Sequence, residues 1–115
     1  MNYDSAYNFL IAQGTALQEP QKQDDFLQRL QQGKPPIPGQ VTSILLALRI
    51  VFEGLQSTAN LDRKLVWALH LLAVDSQKLF DAGRQRGIDW PPLLKEDLQR
   101  IAIAVKSIFS GVWQS

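Results

Sequence analysis

The fifteen residues VTSILLALRIVFEGL, Val41 to Leu55, constrain this chain more than any other stretch, because their apolar side chains run nearly all the way round a helix. At 100° per residue Val41, Ile44, Leu45, Leu48, Val51, Phe52 and Leu55 share one broad stripe, the i, i+3, i+4, i+7 pattern of a core-facing helix. On the far side Leu46 and Ile50 stand beside Ser43, Ala47 and Gly54, small residues that let a second helix approach closely. Only Arg49 and Glu53 mark a polar edge. A helix with two apolar faces needs cover on both. Burying about ten such side chains contributes on the order of 15 to 30 kcal/mol before chain entropy is subtracted, which makes this helix the centre of the expected core. It is too short, and too interrupted by Arg49 and Glu53, to cross a bilayer, which takes about 20 apolar residues.

The rest of the chain supplies amphipathic cover. Tyr3, Ala6, Tyr7, Leu10, Gly14 and Leu17 lie on one stripe of a first helix, with Asp4 or Ser5 available as N-cap and Glu19-Pro20 closing it. Gly14 on that stripe costs about 1 kcal/mol against alanine, and close packing against a neighbour is the usual compensation. From Gln21 to Gln32 a short helix turns Phe26, Leu27 and Leu30 inward, and Gly33 follows where a left-handed C-cap is wanted. GKPPIPG, residues 33–39, is an extended connector, because Pro35, Pro36 and Pro38 fix φ and remove donors. Pro38 fits near the first turn of the central helix.

With Thr58 or Asn60 as N-cap, a long helix is expected to reach about Arg86 and stop at Gly87. Its inner stripe is Leu61, Leu65, Ala68, Leu69, Leu72 and Leu79. A second stripe, Trp67, Leu71 and Val74, lies a third of a turn away between Lys64 and Lys78, and either the N-terminal helix covers it or it is exposed. Trp90 anchors the turn before Pro91-Pro92. The last helix buries Leu94, Leu98, Ile101, Ala102, Val105, Ile108, Phe109 and Val112, and exposes Ser107 among its polar residues. Ile103 is isolated on that polar face. No alternating run or Asn-Gly turn signals a strand. The expected fold is all-α: a small bundle of four to five helices, mostly antiparallel, around the central helix at about 41–56.

A length of 115 residues with 45% hydrophobic and 20% charged content fits one helical domain over residues 1–115. A net charge of +1 without runs of like charge predicts no nucleic-acid partner. There are no cysteines, no transmembrane segment and no apolar leader, so a cytoplasmic setting is expected.

No catalytic motif survives inspection. His70, the only histidine, falls on the polar side of the long helix as a surface imidazole, and no serine is nominated as its partner in a triad. Neither Glu53 nor Glu96 has the histidine three residues on that a carboxylate-bridged metal site in a bundle uses, so no metal and no other cofactor is expected. Gly33-Lys34 is followed by proline and lacks the rest of a phosphate loop. Arg84-Gln85-Arg86 is explained by the helix dipole.

GKPPIPGQVTSILLAL, the LDRKL opening of the long helix and GIDWPPLLKEDLQRIA together resemble a family of short helical proteins from cyanobacterial genomes, over most of the chain. The resemblance implies a bacterial cytoplasmic setting and carries over no catalytic residue. Some members of that family bear the label dethiobiotin synthetase, which this sequence contradicts, having neither a phosphate loop nor alternating strands and helices.

Two functions are open at this point. One is a non-enzymatic interaction, regulatory or assembly module that binds another protein or itself, including as a homodimer, through Trp67, Leu71, Val74 and Ile103. The other is a small helical enzyme or binding protein for an anionic metabolite, using Arg49 and Glu53. Against it stands a plain i, i+4 ion pair between those two residues.

Overall fold

In the computed structural model, which describes residues 1–18 and 24–114, Pro38 and Gly39 form the turn that launches the central helix. The Gln40 N–H donates to the Ile37 carbonyl at 2.9 Å across that turn, and Gly39 takes φ +89°. This is a type II turn, in which proline pre-sets the second position and glycine accepts positive φ at the third. Pro38 therefore lies before the helix rather than in its first turn. The Gln40 side chain completes the junction, accepting from Ile37 N–H at 3.0 Å and donating to the Asp24 carbonyl at 2.6 Å.

Among the described residues five helices succeed one another. They are α1 (Tyr3–Gly14), α2 (Phe26–Gln31), α3 (Gln40–Gly54), α4 (residues 63–85) and α5 (Leu94–Ser110), and among the described residues there is no strand. The fold is all-α, a small helical bundle as the apolar spacing required. One apolar cluster draws on all five helices, and Ile44, Ala47, Leu48 and Val51 of α3 are wholly inaccessible within it. α1 packs along one side of α3 and α5 along another. Cover on the second face is partial: Leu46 is 51% exposed, whereas Ala47 is fully buried. Two flanking helices cannot wrap the whole circumference, so the outermost position of a nearly all-apolar helix stays wet.

The N-caps of α1 and the long helix fall two or more residues from their expected places. Asn2, not Asp4 or Ser5, caps α1, its Oδ1 accepting from Ser5 N–H at 2.8 Å. The expected close at Glu19-Pro20 and the expected start of α2 at Gln21 lie outside the described residues; α1 ends at Gly14, and Asp24-Asp25 precede α2. In α2 Phe26, Leu27 and Leu30 are fully buried, and the buried Gln28 accepts from Asp25 N–H at 3.3 Å while donating to the Ala16 carbonyl at 3.0 Å. Gly33 takes φ +76° behind it.

α4 is capped by Asp62, whose carboxylate accepts from Leu65 N–H at 3.1 Å, so neither Thr58 nor Asn60 is the cap and Leu61 precedes the helix. In its middle, Leu71–Asp75 winds as a π-helix. An i→i+5 turn holds an extra residue and rotates the later turns of α4 relative to an ideal α-helix. Leu71 and Leu72, at the start of this segment, are both buried. The end of α4 is as expected: Gly87 has φ +89° and Ile88 N–H reaches the Gly83 carbonyl at 2.9 Å. Trp90 anchors the next turn, donating to the Phe80 carbonyl at 3.0 Å and lying where a Cβ on Gly83 would meet its ring at 2.5 Å.

α5 corrects the sequence reading at its end. Phe109 is 45% and Val112 64% exposed, whereas Ser107 is fully buried. The helix stops at Gly111, with φ +78°, so Val112 leaves the helical phase and the tail turns back. Ser107 ties that tail down, donating to the Ile103 carbonyl at 2.9 Å and accepting from Gln114 N–H at 2.8 Å. A hydroxyl was needed at a position the wheel assigned to solvent.

Leu48→Ala removes a side chain with no accessible surface from the middle of this cluster. It should lower unfolding free energy by roughly 2 to 5 kcal/mol in urea titration. A loss below about 1 kcal/mol would place the centre of the core elsewhere.

Candidate functional site

The stripe of Trp67, Leu71 and Val74 is divided by the way α1 crosses α4. A Cβ built on Gly14 would strike the Ala68 carbonyl oxygen and lie 2.7 Å from the Ala68 Cα, so the two backbones meet there directly. α1 runs along the first half of α4 and touches the π turn, which α5 also packs against. Leu71 is thereby buried, Val74 half-buried, and Trp67 left 47% exposed. Of the two outcomes the sequence left open for this stripe, cover or exposure, the first holds at Leu71 and the second at Trp67.

What Trp67 joins instead is a cleft of about 330 Å³ between α4 and the end of α5, lined by Arg63, Val66, Trp67, His70 and Phe109. His70 lies nearly parallel to the Trp67 indole, with ring centroids 5.9 Å apart. Trp67 Nε1 points toward Gln18 Oε1 at 3.5 Å, the far limit of a hydrogen bond. Phe109 is the member that sequence reasoning missed. Its position on the wheel is apolar enough to predict burial, yet in the packed bundle it is 45% exposed on the cleft.

Ile103 sits elsewhere. It lines a groove of about 360 Å³ between α3 and α5 with Leu45, Arg49, Arg100, Ala104 and Trp113, and shares no residue with the Trp67 cleft. Arg49 and Glu53 form the i, i+4 pair, Arg49 Nε to Glu53 Oε1 at 2.8 Å, with both side chains about half exposed. Such a surface pair contributes a few tenths of a kcal/mol. The Arg49 guanidinium lies 4.2 Å over the Trp113 ring, which packs edge-on against Phe52 at 5.0 Å. Arg49 therefore lines a concavity as the metabolite reading asked, whereas Glu53 does not. Trp113 was not identifiable as a wall from the sequence, since its place depends on the tail held by Ser107.

Neither concavity holds a nucleophile with a base behind it. His70 is exposed and makes no hydrogen bond or ion pair among the described residues, and the buried hydroxyls of Ser76 and Ser107 are turned to backbone carbonyls of their own helices. Among the described residues no three His, Cys, Asp or Glu side chains gather closely enough to hold a metal ion. No described helix is long and apolar enough to cross a membrane.

Comparison with protein-family models, curated proteins and solved structures finds no match.

The α1–α4 junction beside the Trp67 cleft carries the clearest electrostatics. Tyr7 donates its hydroxyl proton to Asp62 Oδ2 at 2.5 Å, which binds α1 to the cap of α4. That hydrogen bond, with a smaller effect of burial, pushes the phenol up to about 12 from 10.0. The same bond, together with the Leu65 N–H, holds the Asp62 carboxyl below its ordinary value. Burial, with the nearby Asp62 and Asp4 charges, also raises the Tyr3 hydroxyl. A phenol raised in the folded state stabilises it fully below its unfolded value and loses that contribution as pH climbs through the folded value. Stability should therefore fall between pH 10 and about 12 more steeply in the native protein than in Tyr7→Phe, which retains Tyr3 but lacks the titrating donor to Asp62. Urea midpoints measured across that window check this, and parallel curves would mean the Tyr7–Asp62 bond is not formed in solution.

Proposed function

We propose that this protein is a non-enzymatic interaction module whose α4–α5 cleft receives an apolar side chain of another protein. The observation that carries the reading is the pairing of two half-exposed aromatic rings, Trp67 and Phe109, in one concavity. Large aromatic side chains in a partly formed pocket are the usual anchors of protein interfaces. The polar members of the cleft are Arg63 and His70, with no acidic side chain in the lining. This favours a partner that presents an apolar anchor flanked by carboxylates. It disfavours a homodimer through this surface, because a two-fold interface sets a patch against itself and would oppose Arg63 to Arg63. A regulatory or assembly role, a cytoplasmic setting and kinship with the short cyanobacterial helical proteins belong to the same proposal.

A photo-crosslinker placed at Phe109 in the native cell should trap a heterologous protein, and Trp67→Glu should abolish that product while leaving a folded monomer by light scattering. Crosslinks chiefly between copies of the chain would replace the proposed partner with a homodimer. A product indifferent to Trp67→Glu would remove the cleft from the interaction.

A further inference from the structure

The groove on the other edge of α5 has a different chemistry. Its floor is apolar, made by Leu45, Ile103 and Ala104, and Trp113 adds an aromatic wall from the returning tail. Two guanidinium groups, Arg49 and Arg100, and Gln114 complete the lining, and no carboxylate enters it. Each arginine is held in place by an acid outside the groove. Arg49 uses its Nε on Glu53, and Arg100 uses one terminal nitrogen on Asp97 at 3.1 Å. Arg49 Nη1 and Nη2 have no hydrogen-bond partner among the described residues, and the guanidinium carbon lies 4.2 Å from the Trp113 ring centroid. A guanidinium tied through Nε and packed beside a ring, with both terminal nitrogens free, matches a carboxylate fork.

From this juxtaposition we infer that the α3–α5 groove is a binding site for a small amphiphilic carboxylate, its hydrocarbon body on Leu45, Ile103 and Trp113 and its carboxylate on Arg49. The volume of about 360 Å³ lies at the lower end of the range for small-molecule sites, roughly 300 to 1,000 Å³. It suits one acyl chain or ring; an amphipathic helix needs a longer trough with successive anchors. A phosphoryl group is a poorer fit, because no helix N-terminus or nest of backbone N–H groups enters the lining, and most of the surface is apolar. Arg100 adds a second positive charge from the α5 side, which raises the preference for an anion over a neutral amphiphile. The site shares nothing with the Trp67 cleft, so it stands or falls independently of the proposed partner surface.

Titration of the full chain with decanoate, followed in amide and indole N–H spectra, tests the inference. Decanoate should move the Trp113 indole and Ile103 amide signals saturably while the Trp67 and Trp90 indoles stay still. Decanol should bind at least about tenfold more weakly, the difference expected when a charge-assisted hydrogen bond is lost. Arg49→Gln should bring decanoate down to the level of decanol. Ile103→Glu, at a position 41% exposed, should weaken decanoate binding with both arginines intact, which covers the case in which Arg49→Gln disturbs the tail. The inference is overturned by absence of a saturable shift, by equal binding of decanol and decanoate, or by a response centred on Trp67. Binding of an acidic amphipathic peptide where decanoate fails would overturn it as well, in favour of a protein ligand.

Discussion

The arrangement depends on the contact of α1 with α4 at Gly14 and Ala68, where no side chain separates the two backbones. Helix axes that carry ordinary side chains stand 8 to 10 Å apart, and only a glycine or similarly small residue at the crossing lets them come nearer. The closeness sets what the N-terminal helix reaches. It brings the Tyr7 hydroxyl onto the Asp62 cap of α4 and lets α1 touch the π turn, at whose start Leu71 is buried. It also stops short of Trp67. The boundary between core and candidate surface on α4 is thus drawn by one missing Cβ.

Two other helical glycines work in the same way and hold the bundle at its ends. A Cβ on Gly54 would meet the Tyr3 ring at 2.5 Å, so the last turn of α3 is the seat of the first turn of α1. Gly83 gives the Trp90 indole its place against α4, with Phe80 stacked beside it at 5.9 Å. Each glycine costs about 1 kcal/mol of helix propensity. Each is offset by an aromatic ring or a backbone packed into the space. α1 is therefore fixed to α3 at one end and to α4 at the other, and the candidate surfaces lie on the edges of α5, beyond the reach of α1.

Periodicity made the fold class, the buried face of α3, the packing role of Gly14 and the stops at Gly33 and Gly87 legible in the sequence, because each arises from local chemistry. The departures have equally specific causes. A helical wheel assumes a constant turn, and the π segment at Leu71–Asp75 breaks that assumption for the residues that follow it. A wheel also treats every apolar residue on the inner arc as covered. Phe109 lines the α4–α5 cleft and stays half-exposed, and Val112 comes after the break at Gly111. Ser107 was placed outside because hydroxyls favour water, yet it is the group that fastens the tail and so positions Trp113 in the α3–α5 groove. Of the residues singled out for function, Trp67 and Ile103 remain accessible but in separate concavities, while Arg49 lines one without Glu53. Which surfaces meet is decided by contacts between helices distant in sequence, and a single chain's periodicity carries no record of them.

The central claim, that the Gly14–Ala68 approach sets this arrangement, has a test in which two effects oppose each other in sign. Helix propensity alone would make Gly14→Ala stabilising by about 1 kcal/mol. A methyl group forced against the Ala68 backbone should instead destabilise by about 1 to 3 kcal/mol, the usual cost of overpacking. Urea denaturation of Gly14→Ala beside the native chain reads the sign directly. A net loss of stability is the expected result, and an equal or higher midpoint with unchanged slope would show that α1 and α4 do not meet as closely as the structure has them.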